Sequence, residues 1–309
     1  PIVGNGFITI ESDGIEKKIG ITRLHLEQDA GKSLHDQDVK NSFIDLNRSG
    51  CALMEIVSEP DMRSPNEAAE YVKKLRNILK YVGSCDGNME KGNLRADVNV
   101  SVRLVGENMG TRCEIKNVNS VKFIQQAIEY EAKRQVEIIE KGGKVTQETR
   151  LFDPNSGETR SMRGKEESHD YRYFPDPDLP PLKISDEKIE RLKKSLPELP
   201  DMKRKRFRDE FNLSDYDADI LSNDKETADF FEKVVNNRDP KIVTSWVTGE
   251  LFSYLKKNDR PISNAEISPD KLGGIIDLVS DGSISNRQAK EVFEEYITSS
   301  QSAKEFIEN

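Results

Sequence analysis

Residues 94–120 read LRADVNVSVRLVGENMGTRCEIKNVNS, and apolar and polar side chains alternate without a break through residues 94–104. A period of two is typical of a β-strand that buries one of its faces. Residues 106–110 begin and end with glycine and predict a hairpin loop, after which residues 111–117 return as a second strand. The stretch therefore predicts an antiparallel β-hairpin with one apolar and one polar face.

The same pattern predicts how the two strands face each other. Burying one side of the hairpin requires Cys113 and Ile115 to lie with the valines of the first strand. Glu114 and Lys116 then share the opposite face with Asp97. The other polar side chains predicted on that face are those of Asn99 and Ser101. This group is either a functional site or the ordinary solvated face of an antiparallel sheet.

Composition excludes several classes of protein. The chain has 309 residues, of which 33% are charged and 35% hydrophobic, with a net charge of −9, which is typical of a soluble globular protein with about two domains. We find no apolar run near the ~20 residues of a membrane span, and no secretory signal, so no membrane partner is expected. Three cysteines without paired metal spacing favour a reducing cytosol.

Glu55 lies in the middle of an apolar run, residues 51–57. Such a run predicts a strand that is covered on both faces. A carboxylate there must be paired, hydrogen-bonded, metal-bound or protonated, because isolated burial costs several kcal/mol. Two interpretations remain open: Glu55 is a metal ligand, or it forms a structural ion pair with an arginine such as Arg48.

The remaining pattern places sheets first and helices afterwards. Further strands are predicted at residues 6–11, 17–28, 149–153 and 159–163. Ser64 opens a helix that ends at Gly83, and Asn119 is predicted to cap a second helix that ends at Gly142. Beyond the cluster of prolines at residues 175–181, only helices are predicted, at residues 186–195, 201–211, 214–222, 226–236, 241–258, 269–280 and 285–297. This order predicts an α+β fold, an antiparallel-sheet domain followed by an all-helical domain.

Two segments carry cations suited to phosphate. Residues 203–208 read KRKRFR and could grip an RNA backbone, although a solvated helix face has the same composition. In residues 168–178, Arg172 lies beside aromatic residues, which suits nucleotide contacts through charge-assisted hydrogen bonds and stacking. Those aromatic residues could equally pack a loop onto the core.

Five segments taken together, and in order, resemble the B subunit of the glutamine-dependent aspartyl/glutamyl-tRNA amidotransferase, the GatCAB complex. They are LHLEQDAGK at residues 24–32, DLNR at 45–48, EIVSEPD at 55–61, EIKN at 114–117 and DYRYFP at 170–175. The resemblance covers essentially the whole chain. It implies a cradle domain with an ATP and Mg²⁺ site, a helical domain and a small tail domain.

On that resemblance, residues 1–196 correspond to the cradle domain, residues 197–297 to the helical domain and residues 298–309 to the start of the tail. The family's opening segment, with its Gly-Leu-Glu-Val-His motif, has no counterpart because the chain begins at Pro1, after it. Most of the tail is also absent. The resemblance therefore implies a fragment that need not be active by itself.

The resemblance implies a two-stage ligase reaction on Glu-tRNA(Gln) or Asp-tRNA(Asn) in the cytoplasm. The B subunit would phosphorylate the side-chain carboxylate of the aminoacyl group with ATP. Ammonia, released from glutamine in the partner amidase and led through a channel, would then displace phosphate, while a small third protein of the heterotrimer braces the complex. The first stage is needed because a carboxylate is a poor acceptor for ammonia, and phosphoryl transfer requires positioning and cations over the γ-phosphate.

Carried onto this sequence, the resemblance implies roles for individual residues. The implied metal or nucleotide ligands are Glu27, Gln28, Glu55, Asp97 and Glu114. Gln28 stands where the family commonly has an acid, and the lost negative charge would weaken Mg²⁺ binding or make it water-mediated. Asp97, Glu114 and Lys116 would act in the chemical step. The implied phosphate or substrate contacts are Arg95, Asn117 and Arg172.

Two functions of other classes remain open at this point. One is a noncatalytic tRNA-binding scaffold that uses residues 203–208 as its grip. The other is an unrelated metal-dependent hydrolase, which would activate water at the same carboxylates without any need for ATP. Mg²⁺-dependent nucleotide binding at the cradle would count against the scaffold, and dependence on ATP separates the ligase from the hydrolase.

Overall fold

The computed structural model describes residues 1–34, 41–162, 180–265 and 267–308. The chain divides into two compact units. Unit 1 comprises Pro1–Arg76 and Asn88–Tyr173, and unit 2 comprises Asn77–Gly87 and Phe174–Asn309. Strands lie in unit 1 and helices dominate unit 2, so the predicted α+β class is confirmed.

The first sheet of unit 1 is an antiparallel hairpin with one added strand. Its strands are β1 (Val3–Ser12), β2 (Ile15–Gln28) and β5 (Ala52–Ser58), in the order β1-β2-β5. Asp13 and Gly14 connect β1 to β2 with positive φ angles of 54° and 76°, as a type I′ turn requires. A separate small ladder joins β3 (Lys32–Leu34) to β4 (Phe43–Asp45).

The second sheet contains the hairpin predicted from residues 94–120. Its strands, in spatial order, are β6 (Val98–Val100), β7 (Cys113–Lys116), β8 (Thr149–Asp153) and β9 (Glu158–Ser161). Val98 lies opposite Ile115 and Val100 lies opposite Cys113, so the predicted register is confirmed.

Two details of that prediction are wrong. β6 has only three ladder residues, fewer than the predicted strand. The alternation overestimates the length of the strand, because it shows which face each side chain buries and not which residues have a hydrogen-bonded neighbour. β7 and β8 are parallel, whereas antiparallel connections were expected. The reason is the connection between them, since helix α2 (Val121–Glu140) supplies the crossover that parallel strands need.

Among the described residues, the two helices that begin in unit 1 have side-chain caps. Helix α1 (Pro65–Tyr81) begins after Ser64, whose Oγ accepts a hydrogen bond from the Glu67 N–H at 3.1 Å. Helix α2 begins after Ser120, whose Oγ accepts from the Phe123 N–H at 3.1 Å. The prediction of Asn119 as the cap is therefore wrong by one residue, because Ser120 has the extended backbone that a cap needs.

A buried polar cluster ties α2 to the second sheet, and we call it the Glu131 clamp. Glu131 is fully buried and accepts hydrogen bonds from Arg134, from Gln135 Nε2 at 2.8 Å and from Thr159 Oγ1 at 3.0 Å. Arg150 Nε lies 3.3 Å from Glu131 and donates to Thr159 Oγ1 at 2.8 Å. Burial would raise the pKa of Glu131, but the hydrogen bonds from Arg134 and Gln135 outweigh it and hold the pKa below its usual range.

Unit 2 is built from short helices around one aromatic-rich core. They are α3 (Asp186–Ser195), α4 (Pro200–Phe211), α5 (Asp215–Ser222), α6 (Lys225–Val235), α7 (Pro240–Ser245), α8 (Phe252–Lys257), α9 (Pro269–Ser280), α10 (Asn286–Thr298) and α11 (Ala303–Glu308). The largest fully buried side chains of this core include Phe207, Phe231, Phe293 and Tyr296. No helix in the described part of the chain is long and apolar enough to cross a membrane.

The predicted helix ends in unit 2 agree with the structure to within one residue, with one exception. The single helix predicted at residues 241–258 is interrupted by a π-helical turn, Trp246–Leu251, between α7 and α8. A pattern of apolar residues with a 3.6-residue period does not reveal the wider i to i+5 hydrogen bonding of such a turn.

The Glu131 clamp predicts a large and pH-dependent stability effect. Replacing Glu131 by alanine should lower the free energy of unfolding by roughly 3 kcal/mol, because Arg134 and Arg150 lose a buried partner. The folded-state pKa of Glu131 lies below the unfolded value of about 4.3, so its contribution is fully present above that pH. It is lost as the pH falls through the lower folded pKa. Urea unfolding at several pH values measures both effects.

The matched control is Glu137→Ala, the same change at an exposed position of α2. It should change stability by a few tenths of a kcal/mol, as exposed ion pairs typically do. Equal losses in the two variants would contradict the importance of the clamp.

Candidate functional site

The outer face of the second sheet carries the polar side chains that the hairpin pattern predicts. In β7 the side chains of Cys113 and Ile115 are buried, whereas those of Glu114 and Lys116 point to the other face. Lys116 Nζ lies 2.8 Å from Asp97 Oδ2 and 3.0 Å from Glu114 Oε1. Asp97, Glu114 and Lys116 therefore meet at one point, and we call them the lysine triad.

A fourth residue holds the triad from the neighbouring strand. Thr149 is the parallel partner of Glu114 in β8, and its Oγ1 donates to Glu114 Oε2 at 3.0 Å. Sequence reasoning missed Thr149, because a residue so far away in sequence gives no local signal. The two oxygens of Glu114 are thus held by two different groups.

Electrostatics favour the charged forms of Glu114 and Lys116. Burial would raise the pKa of Glu114, but the hydrogen bonds from Lys116 and Thr149 hold that pKa below its usual range. Burial would likewise lower the pKa of Lys116, but hydrogen bonds to Asp97 and Glu114 raise it above its usual range. The triad presents an ammonium that is balanced by two carboxylates.

The predicted ligands in the first sheet lie on both of its faces. His25 pairs with Glu55 and Glu27 pairs with Leu53, so Glu27 and Glu55 share one face. His25 Nδ1 lies 3.8 Å from Glu55 Oε2. Gln28 is the next residue of the strand after Glu27, and its side chain therefore points to the opposite face.

The expectation that the strand of Glu55 is covered on both faces is wrong. β5 is an edge strand, and the side chain of Glu55 is 50% exposed. The alternative ion pair with Arg48 is also wrong, because Arg48 Nε contacts Asp29 Oδ2 at 3.0 Å. With its side chain half exposed, Glu55 keeps its carboxylate in contact with water and so avoids the cost of burial.

Asp29 organises two arginines beside the end of β2. Its Oδ2 accepts from Arg48 Nε at 3.0 Å and from Arg95 Nη2 at 3.3 Å. Burial would raise the pKa of Asp29, but these hydrogen bonds and positive charges lower it. Arg95, a predicted phosphate contact, is therefore oriented by a carboxylate that residue patterns did not single out.

The other two predicted phosphate contacts differ. Asn117 adopts a positive φ of 68° at the end of β7, and its Nδ2 donates to the Phe152 carbonyl at 3.0 Å. Its Oδ1 accepts from Asn119 at 3.2 Å, so the side chain stabilises the turn. Arg172 lies outside the described residues.

The carboxylates of the lysine triad suit a hard cation whose other ligands are waters and substrate phosphates. Within the described residues no three His, Cys, Asp or Glu side chains come close enough together to hold a metal ion. Mg²⁺ in phosphoryl-transfer sites is commonly bound by one or two protein carboxylates, with waters and substrate phosphates as the other ligands. Asp97 and Glu114, which face the same ammonium, could provide the two protein carboxylates of such a site.

Intramolecular ion pairs engage Lys203 and Arg206 of the basic cluster in α4. Lys203 is only 7% exposed, and its Nζ lies 2.7 Å from Glu232 and 3.3 Å from Asp229. Arg206 donates to both oxygens of Glu198, at 2.8 and 2.7 Å, and also to Glu232. Lys203 and Arg206 therefore pair with carboxylates of unit 2, whereas the sequence predicted either contacts to an RNA backbone or full exposure to solvent.

Comparison with known families decides the family of the chain. The family described as the GatB/GatE catalytic domain matches residues 1–190, and the GatB domain matches residues 229–309. The chain belongs to the GatB/GatE family. The first of these matches contains every residue of the lysine triad.

Several curated GatB relatives are similar to the chain. The B subunits of the aspartyl/glutamyl-tRNA(Asn/Gln) amidotransferases of Granulibacter bethesdensis and Methylobacterium nodulans are each 62% identical over 295 residues. That of Pelagibacter ubique is 58% identical over 299 residues. The matches cover 95% of this chain and 61%, 60% and 61% of the relatives, respectively. The chain thus spans about three-fifths of the length of these GatB relatives.

Removing the ammonium of the triad should change the ionisation of its partner. In Lys116→Met, we expect the pKa of Glu114 to rise, because a hydrogen bond and a positive charge that favour the carboxylate are lost. Carboxyl ¹³C NMR titration measures it. Lys122→Met, at an exposed position of α2, is the control and should leave the titration of Glu114 unchanged. An unaltered pKa in Lys116→Met would contradict the electrostatic coupling.

The ion pairs of α4 predict that Arg206 contributes to stability and not to RNA binding. Arg206→Gln should lower the melting temperature, because Glu198 and Glu232 lose their shared partner. The salt dependence of tRNA affinity should stay the same, since this cation is already neutralised. The exposed neighbour Lys205 provides the control Lys205→Gln, which should leave the melting temperature unchanged. A salt slope reduced by about one unit in Arg206→Gln would show a phosphate contact.

Proposed function

We propose that the chain is the carboxylate-activating part of the B subunit of a tRNA-dependent amidotransferase. Its reaction would be the ATP-dependent amidation of Glu-tRNA(Gln), Asp-tRNA(Asn) or both, in the cytoplasm. The support is a GatB/GatE catalytic-domain match over residues 1–190 that contains the lysine triad. The observation that carries the proposal is the Lys116 ammonium held 2.8 and 3.0 Å from the carboxylates of Asp97 and Glu114.

The proposed reaction has two stages. An oxygen of the substrate's side-chain carboxylate attacks the γ-phosphorus of ATP, and the bond from that phosphorus to the β,γ-bridging oxygen breaks, which releases ADP. Ammonia then attacks the carbonyl carbon of the acyl phosphate, loses a proton and expels phosphate, which leaves the amide. The lysine triad belongs to the first stage, because phosphoryl transfer depends on positioning and on positive charge over the transferred group.

Each proposed site residue has a defined task. Lys116 would contact the γ-phosphate as it develops charge, and Asp97 and Glu114 would orient Lys116 and hold Mg²⁺. When bound, Mg²⁺ would neutralise charge on the ATP phosphates. Glu27 and Glu55 are further proposed ligands on a shared sheet face, whereas the role proposed for Gln28 requires it to act from the other face.

Phosphate contacts are proposed for Arg95, Asn117 and Arg172. Arg95 is the best placed, because Asp29 orients its guanidinium while about half of the side chain remains exposed. Asn117 would have to release the Phe152 carbonyl before its amide nitrogen could bind a ligand.

The proposed partners follow from the chemistry of the second stage. Ammonia would come from glutamine hydrolysed in GatA, the amidase of the GatCAB complex, and the small protein GatC would complete a heterotrimer. The proposed division of the chain is a cradle at residues 1–196, a helical domain at 197–297 and the start of a tail at 298–309. Two cations of the grip proposed for a noncatalytic tRNA-binding scaffold, Lys203 and Arg206, are engaged in ion pairs within unit 2, which favours the ligase.

Replacing Asp97 by asparagine tests the proposed function. In a GatCAB heterotrimer that contains the variant, Asp97→Asn should abolish ATP-dependent formation of Gln-tRNA or Asn-tRNA, because Lys116 loses one of its two orienting carboxylates. Binding of tRNA should remain. Amide formation is followed on charged tRNA with and without ATP, and tRNA binding is measured separately.

Asp13→Asn is the control, since it removes the same charge from the turn between β1 and β2, in the other sheet, where asparagine tolerates the positive φ angle. Turnover in Asp97→Asn equal to that of Asp13→Asn would dismiss the site. Amide formation by the unmodified complex without ATP would dismiss the proposed reaction.

A further inference from the structure

The carboxylate of Glu114 is fixed at both of its oxygens. Lys116 Nζ lies 3.0 Å from Oε1, and Thr149 Oγ1 donates to Oε2 at 3.0 Å. Thr149 therefore lies next to the lysine triad without being one of its charged members. A carboxylate held at only one oxygen could still turn about its terminal bond, because that torsion is broad. The hydroxyl of Thr149 removes this freedom.

The fold places the hydroxyl there by means of the neighbouring residue in β8. Consecutive side chains of a strand point to opposite faces. Arg150 is buried in the Glu131 clamp, with hydrogen bonds to Thr159 Oγ1 at 2.8 Å and to the Thr159 carbonyl at 2.7 Å. Locking Arg150 into the inner face fixes the rotation of the strand, and Thr149 is thereby presented on the outer face beside Glu114.

We propose that Thr149 is a positioning residue that aligns the Glu114 carboxylate for the divalent cation and phosphates of bound nucleotide. This inference rests on the proposed function. The hydroxyl has a single proton to donate, and that proton is committed to Glu114 Oε2. Groups that orient a metal-binding carboxylate from outside the first layer of ligands typically contribute a factor of about 10–100 to metal affinity or activity.

Two substitutions separate the hydroxyl from the shape of the side chain. Thr149→Val keeps the branched outline and the strand propensity but removes the donor. Thr149→Ser keeps the donor and removes a methyl group. Thr9→Val is the matched control, because it makes the same chemical change at a half-buried position of β1, in the other sheet of unit 1.

The readout is the affinity for Mn²⁺ and ATP in the assembled complex, measured by calorimetry and by Mn²⁺ electron paramagnetic resonance without turnover. We expect Thr149→Val to weaken binding about 10–100-fold, with Thr149→Ser and Thr9→Val close to the unmodified protein. In a Glu114→Gln background, Thr149→Val should add no further loss, because the two residues act as one unit.

Three results would overturn the proposal. They are unchanged affinity in Thr149→Val, a loss in Thr149→Ser equal to that in Thr149→Val, and a full additional loss in the Glu114→Gln background. The last two would assign the effect to packing. Failure of the proposed function would give a different result, because the unmodified complex would then show no ATP-dependent amide formation in the charged-tRNA assay.

Discussion

The buried ion pair between Glu131 and Arg150 is the interaction on which the arrangement of unit 1 depends. It joins α2 to the middle of the second sheet and fixes which face of β8 looks inward. Taking two charges out of water is costly, and the cost is recovered only when further hydrogen bonds satisfy both groups. Arg134, Gln135 and Thr159 supply those bonds. A cluster with so many partners specifies one register of helix against sheet.

This clamp connects the core to the candidate site through the alternation of a strand. Arg150 points into the core and Thr149 points out, where it meets Glu114. The packing of Arg150 fixes the strand beside the lysine triad, and the Thr149 hydroxyl holds Glu114 of the triad directly. Precise placement would matter for the proposed phosphoryl transfer, because positioning and electrostatics provide nearly all of the catalysis in such reactions.

The ion pairs of α4 and the lysine triad use charge in different ways. In α4, Lys203 and Arg206 are paired with Glu198, Asp229 and Glu232, so these two cations stabilise the helical packing. In unit 1, the triad leaves its carboxylates and ammonium partly exposed. An ion pair that remains accessible can exchange its partners for a ligand, whereas a buried one would first have to be broken at considerable cost.

The sequence by itself determined the register of β6 against β7, the shared face of Asp97, Glu114 and Lys116, and most helix ends, because alternation, helical period and caps are short-range properties. The tertiary structure decided that Thr149 binds Glu114, that Asp29 holds Arg48 and Arg95, that Lys203 is buried and that Glu55 is exposed. These outcomes depend on which strand or helix lies alongside. A local pattern shows the face on which a side chain lies, but the partner across that face comes from a distant part of the chain.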